Sequence, residues 1–360
     1  MKISETKVKN YIIGTCSLYL FILPIGLPHI SFLIGIILFL LHIKDRRLYL
    51  FSTIWLGIFI IYGLFYFYLG SSWKALVNNV SSMMMFPIAY ELCRNNKKNV
   101  LLKYSETFIS WTIIGFLIEA IIRFVISTSH SPESGIYRYK FGSVCFFDTN
   151  FLGLALLVVI FFIKYLIIFN KLNLSKYYKI SIILLLFTIS RAAILAWIIG
   201  EFIFYNISPD KYCKTIAKRM LQLIIAGVLV GTPVFLILKE DPSFRTKLHI
   251  LELAQEYFSS STNINPFLGV GYEHSEKILG IFPHNSIFLF FIETGYLGLI
   301  LKIIFLGWIL FKSNFQALFI LLPYTLATMS ATGYGCHYLY VVMAIVTILS
   351  LRQRSLYLNK

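Results

Sequence analysis

The sequence predicts an all-α polytopic membrane protein of about twelve transmembrane helices, a single integral membrane domain over residues 1–360. Three observations carry this. Hydrophobic residues make up 58% of the chain and charged residues 13%, and the mean hydropathy is +0.78, outside the composition of a soluble globular domain. The apolar residues fall in runs of about 15 to 25, long enough to cross ~30 Å of hydrocarbon. The basic residues behind the formal charge of +16 sit in short clusters between those runs. Lacking one continuous amphipathic face, they read as topology signals and not as a nucleic-acid surface.

Taken in order, spans are predicted near 10–27, 29–43, 48–69 and 76–93. The first follows Lys2, Lys7 and Lys9 like a signal peptide, but it has no small-x-small cleavage site and reads as a retained span. The fourth carries Asn78, Asn79, Ser81 and Ser82 in its first turns, which leaves a broken or interfacial helix as the alternative to a regular span. Further spans are expected near 106–127, 149–169, 177–190, 192–207 and 217–238, and the last near 286–312, 315–331 and 335–352. Spans 177–190 and 192–207 meet at Ser190-Arg191, a tight hairpin with Arg191 at its apex or a single bent helix.

The positive-inside rule tests this count, because one missed span would reverse every later loop. With the N-terminus inside, Lys44, Arg46 and Arg47, then Arg94, Lys97 and Lys98, then Lys171, Lys176 and Lys179, then Lys211, Lys214, Lys218 and Arg219, and finally Arg352, Arg354 and Lys360 all fall inside. Two outer loops are long, a smaller one at 128–148 and a larger one at 239–285. The larger loop carries Asp241-Pro242 as a helix start, followed by Phe244, Leu248, Leu251 and Phe258 at roughly helical spacing. This predicts an amphipathic helix on the outer leaflet with Arg245, Lys247 and Glu252 on its polar side.

Chemistry is expected where polar residues gather on the outer face. His284 precedes the span at 286 and can accept a proton near neutral pH; Asn285 is placed to orient it or a substrate hydroxyl. Glu293 lies inside that apolar run, where a carboxylate is costly; it reads equally as a helix–helix hydrogen bond or as part of the site. Gly295 and Gly298 read as close packing between helices. Arg191, Arg245 and Arg138 are outer-face guanidinium groups whose forked donors match a diphosphate. Gly269 and Gly271 permit close backbone approach, and Asp148-Thr149-Asn150 reads as the cap of the span at 149. His29, His42 and His337 stand at span ends without polar company, and His249 and His274 are loop residues. No zinc spacing, P-loop, dinucleotide fingerprint or Asp-x-Asp motif occurs, so no cofactor or metal is expected. Of five cysteines only Cys145 and Cys336 fall on the outer face, and whether they pair stays open.

The ordered set GSVCFFDTN (142–150), Ser190-Arg191, the Arg245 helix, PFLGVG (266–271) and HNSIFLFFIETGYLG (284–298) resembles the O-antigen ligase and O-antigen polymerase superfamily of bacterial envelope glycosyltransferases. The resemblance covers about residues 138–300. It departs from the family in a compact outer loop and in Phe147, where a loop residue such as proline is frequent. It implies a GT-C-like fold in the bacterial inner membrane, both termini cytoplasmic, with the active site facing the periplasm. The implied reaction is metal-independent transfer of a glycan from undecaprenyl diphosphate, by a ligase to a lipid A core sugar or by a polymerase to a lipid-linked repeat unit. On the family's pattern, Arg191 and Arg245 bind the diphosphate and His284 is the general base. A lipid-linked glycan flippase or polysaccharide exporter is the alternative of another class. It predicts charges in mid-membrane, whereas the polar groups singled out here gather at one face.

Overall fold

The computed structural model describes residues 49–128, 149–207, 212–238, 242–260, 264–281, 285–330 and 336–358, with Tyr139 and parts of 32–40. All regular structure among them is helical. The elements are α1 (Leu50–Tyr68), α2 (Trp73–Arg94), α3 (Lys98–Thr128), α4 (Thr149–Asn170), α5 (Ser175–Phe187), α6 (Arg191–Phe204) and α7 (Tyr212–Leu238). Then follow α8 (Pro242–Ser260), the short α9 (Ile264–Leu268) and α10 (Ser275–Leu279), and α11 (Ser286–Lys312), α12 (Leu318–Thr328) and α13 (His337–Leu358). The first two predicted spans lie almost wholly outside the described residues.

α4 is the centre of the bundle. It is apolar all round, and each residue from Leu152 to Ile163 is buried, as expected of a helix with neighbours on every side. Along α6 the partners are small where α4 is large: Gly200 leaves the gap that the Phe161 ring and Pro323 of α12 fill. Phe305 of α11 plays the same part on the other side, its ring centroid 4.6 Å from Trp55, 4.9 Å from Phe59 and 5.7 Å from Phe86. It ties α11 to α1 and α2 by edge-on and tilted aromatic contacts.

The outer faces of α1 and α3 suit a membrane. Ile60, Ile61, Leu64 and Phe67, and on α3 Ile114, Leu117, Ile118 and Ile121, are exposed along one side of each helix. Continuous apolar faces of this length are consistent with lipid contact. Four helices are long and apolar enough to cross a bilayer, namely α1, α3 through Ile126, α4 and α11. Others fall short of their predicted spans: α5 has 13 residues and α6 has 14, each extending only ~20 Å.

The two ends of the bundle differ in charge. At one end Arg352 donates to the Arg94 carbonyl at 2.8 Å, Gln353 to that of Phe169 at 3.0 Å and Tyr212 to that of Phe315 at 2.9 Å. The helix ends gathered there carry Lys97, Lys98, Lys171, Lys176 and Lys214. At the opposite end Ser190 meets Asn150, Tyr139 meets Phe187 and Ser71 meets Tyr272.

One alternative is settled and one expectation corrected. The helix at 73–94 is not broken: it is a continuous 22-residue helix packed along α1 and α13, with Asn79, Ser81 and Ser82 buried. Its polar side chains bond within the protein, Asn79 to the Ala75 carbonyl at 3.0 Å and Ser82 to the Asn79 carbonyl at 2.7 Å. His337 does have polar company, because its Nε2 lies 2.8 Å from the Ser81 hydroxyl across the α2–α13 contact. The buried Cys336 thiol lies against the Tyr324 hydroxyl; Cys145 lies outside the described residues.

Candidate functional site

Two assemblies of candidate residues form at the end of the bundle opposite the basic clusters. The first is built on the hairpin. Tyr178 of α5 and Glu201 of α6 are hydrogen-bonded, which makes the two helices antiparallel. The reversal is tight: Ile189 takes a positive φ of 54°, and the Thr188 hydroxyl accepts the Ser190 amide at 3.2 Å. This is a hairpin and not a bent helix, with Arg191 exposed as the first residue of α6. The Ser190 hydroxyl donates to Asn150 Oδ1 at 3.0 Å. Asn150 therefore anchors the hairpin to the start of α4, beyond the capping role expected of it. Asp148 and Arg138 lie outside the described residues.

The second assembly is a broken helix. α11 looks like one apolar run in sequence, but Gly295 has φ 60° and ψ −163°, far from helical values. A helix stopped there leaves its last carbonyls without intrahelical donors, and the loop after α9 supplies replacements. Val270 N–H donates to the Ile292 carbonyl at 3.0 Å and Gly271 N–H to that of Glu293 at 2.9 Å. The Tyr66 hydroxyl reaches the Thr294 carbonyl at 2.5 Å and that of Leu268 at 2.9 Å. The glycines make this docking possible. A Cβ on Gly269 would stand 2.5 Å from the Glu293 carbonyl, and one on Gly295 would stand 2.5 Å from the Gly269 nitrogen. Both also hold positive φ, which a side chain disfavours.

Glu293 is almost fully buried and its Oε1 accepts from the Glu273 amide at 3.0 Å and the Ser275 hydroxyl at 2.9 Å. These bonds tie α11 to the Glu273 turn and to Ser275, the first residue of α10, and they lock the entry to that helix. Gly271 fits against the Ser71 hydroxyl, which also accepts the Tyr272 amide at 3.0 Å. The Tyr62 and Tyr272 hydroxyls meet at 2.9 Å. His274 is turned inward, its Nδ1 3.0 Å from the Val270 carbonyl.

At the start of α11, Asn285 Oδ1 accepts the amides of Ile287 at 3.0 Å and Phe288 at 3.2 Å. It is an N-cap, and its carboxamide oxygen is thereby committed to the backbone. His284, immediately before it, lies outside the described residues. Arg245 is exposed near the start of α8. That helix packs differently from the predicted stripe: Ala254, with Leu253 and Tyr257, lies against Leu279 and Ile292, so α8 is clamped over the first half of α11. Of the predicted stripe only the Leu248 side chain lies within the described residues, half-buried.

The sequence reading missed five charged residues at three places. Lys164 of α4 and Glu201 of α6 are 2.5 Å apart inside the bundle. Arg123 and Glu119 of α3 are both buried, with the guanidinium 4.5 Å from the Tyr139 ring centroid. Lys302 of α11 lies 4.1 Å from the Phe290 ring centroid and lines a cavity of about 290 Å³ among α2, α11, α12 and α13. The expectation that polar groups gather only at one face is thus too simple. The signal was in the sequence, since each of these charges interrupts an apolar run. No protein-family model matches the chain, and no curated protein matches it.

Proposed function

We propose that the chain is an inverting glycosyltransferase of a bacterial inner membrane, which transfers a glycan from undecaprenyl diphosphate to a lipid A core sugar. The observation that carries this reading is a convergence. What supports the reading is that two described parts of the segments on which the family resemblance rests lie at the same end of the bundle: Asn150 bonded to Ser190 beside Arg191, and the Gly269–Gly271 loop docked on the half-helix that Asn285 caps. His284 directly precedes that cap. In the mechanism the reading implies, Arg191, Arg245 and Arg138 neutralise the charge that develops on the departing diphosphate. His284 removes the proton from the acceptor hydroxyl, which attacks the anomeric carbon from the opposite side and inverts it. No metal or nucleotide enters this scheme. The reading takes the architecture as GT-C-like with about twelve spans, the basic end cytoplasmic and the site periplasmic.

An O-antigen polymerase uses the same donor and differs only in acceptor. A lipid-linked glycan flippase or exporter is the reading that the intramembrane charges favour. Lys164 and Glu201, however, bond to each other and to Tyr178, which is how a structural pair behaves. The test is the surface polysaccharide of a strain lacking the gene, complemented with wild type or with His284→Ala. A ligase predicts loss of every core-linked ladder while lipid-linked polymer accumulates, and no rescue by an expressed His284→Ala. A single core-linked repeat unit identifies a polymerase, and lipid-linked glycan held on the cytoplasmic leaflet identifies a flippase. A wild-type ladder with His284→Ala removes the general-base role.

A further inference from the structure

The turn that presents Arg191 is held from two sides. At the close of α5 the Leu185 carbonyl accepts the Thr188 amide and hydroxyl, and that of Leu186 accepts the Ile189 amide. The Phe187 carbonyl, next in line, accepts the Tyr139 hydroxyl at 2.8 Å. A helix end leaves such carbonyls without intrahelical donors, so the smaller outer loop completes the cap through Tyr139. Beyond the turn, Ser190 is fixed by Asn150 of α4 at 3.0 Å. Between these two anchors stands Ile189 with φ 54°, a conformation that a β-branched residue keeps only where its surroundings over-determine it.

Tyr139 is itself held by α3. The Arg123 guanidinium lies 4.5 Å from its ring centroid, a cation–π contact. Arg123 is fully buried, and Glu119, one turn earlier, is 3.7 Å from it. Among the described residues its Nε and Nη1 have no hydrogen-bond partner. A buried charge is costly, and its forked donors do not explain its place there. What this guanidinium offers is a planar face, which a stacked contact uses and an ammonium does not supply. Arg123, the Tyr139 ring and the Phe187 carbonyl thus form a line from α3 to the turn, ending four residues before Arg191.

We propose that Tyr139, backed by Arg123, is a positioning residue for Arg191: it completes the cap of α5 and so fixes the turn from which Arg191 departs. The consequence for a donor diphosphate rests on the glycosyltransferase reading; the fixing of the turn does not. Tyr139 acts through Arg191 and touches no substrate. A guanidinium fork matches phosphate oxygens only in a set direction, and a misplacement of ~1 Å forfeits much of what positioning gains.

The test separates the turn from the ligand. In a chain whose native cysteines are replaced, nitroxide labels are placed at Arg191→Cys and at Tyr68→Cys, exposed at the end of α1. Their distance distribution is read in nanodiscs by pulsed electron paramagnetic resonance. It should be one narrow peak with Tyr139 in place. In Tyr139→Phe, which keeps the ring against Arg123 and removes only the bond to Phe187, it should be at least twice as wide. Arg123→Lys, which keeps the charge and loses the planar face, should widen it as well. An unchanged width in either variant overturns the proposal, so one that fails to fold leaves the other to decide. Affinity for undecaprenyl diphosphate, titrated with chains that keep their native cysteines, reads the consequence. Arg191→Ala should bind at least tenfold more weakly than wild type and Tyr139→Phe at least threefold more weakly. The double variant should bind no more weakly than Arg191→Ala alone. Losses that multiply in the double variant show that Tyr139 acts elsewhere, and overturn the proposal. Wild-type affinity in Arg191→Ala removes the diphosphate role of Arg191 and leaves the positioning, read from the label widths, standing.

Discussion

Tyr66 and Gly295 lie more than two hundred residues apart in the chain and solve one problem between them. A helix that ends inside a membrane protein must satisfy its last carbonyls without water. Here a phenol from α1 and two amides from the 269–271 loop do so. Removing the phenol in Tyr66→Phe strands two carbonyls and should cost about 1–3 kcal/mol. Gly295→Ala should do more, because the new methyl meets the backbone of Gly269 and the residue keeps a positive φ. Gly307→Ala is the control in the same helix, with open space around it, and should leave stability unchanged or raise it by up to about 1 kcal/mol. The measurement is thermal unfolding in detergent. A Gly295→Ala protein that melts with the Gly307→Ala protein would show that the break does not depend on that glycine. In sequence, Gly269 and Gly271 advertised themselves as sites of close approach, whereas Gly295 was hidden: a glycine in an apolar run costs only about 1 kcal/mol in a helix, and what breaks this one comes from distant segments.

Among the elements, the α5–α6 hairpin was legible and its length was not. Ser190-Arg191 between two apolar runs gave the turn, but periodicity does not say how far each helix extends, and both stop short of a full span. Besides the Ser190–Asn150 bond, the Lys164–Glu201 bridge with Tyr178 as a third partner ties the pair to α4. Charges in apolar runs drew little notice in the sequence because each stands alone there; only the antiparallel packing shows that they are neighbours. Removing one partner leaves the other charge buried. Lys164→Met should therefore destabilise by an amount approaching the roughly 3–5 kcal/mol of a fully buried pair, reduced because Glu201 keeps some access to its surroundings. The double variant Lys164→Met/Glu201→Met should recover most of the loss. If the two single losses simply add in the double variant, the bridge is not a coupled pair.

For the whole molecule, composition alone established a membrane protein, and the alternation of basic clusters foretold which helix ends would meet. Arg94, Lys171 and Arg352 are far apart in sequence, yet the contacts from α13 to α2 and α4 bring their helix ends together. The exact number of spans was not legible, because short buried helices such as α12 are as apolar as spanning ones and differ only in what surrounds them. The topology can be decided at two exposed positions. In a chain whose native cysteines are replaced, Arg245→Cys on α8 and Lys214→Cys on α7 both present their thiols on the surface. They stand at opposite ends of the bundle, so a membrane-impermeant maleimide applied to cells with a permeabilised outer membrane should label position 245 at once. It should label position 214 only after the inner membrane is opened. The positive-inside rule requires that order, since Lys214 belongs to a basic cluster and α8 lies over the start of α11. The reverse order would place the Arg191, Asn285 and Gly269 assemblies in the cytoplasm, and a periplasmic transfer reaction could not be theirs.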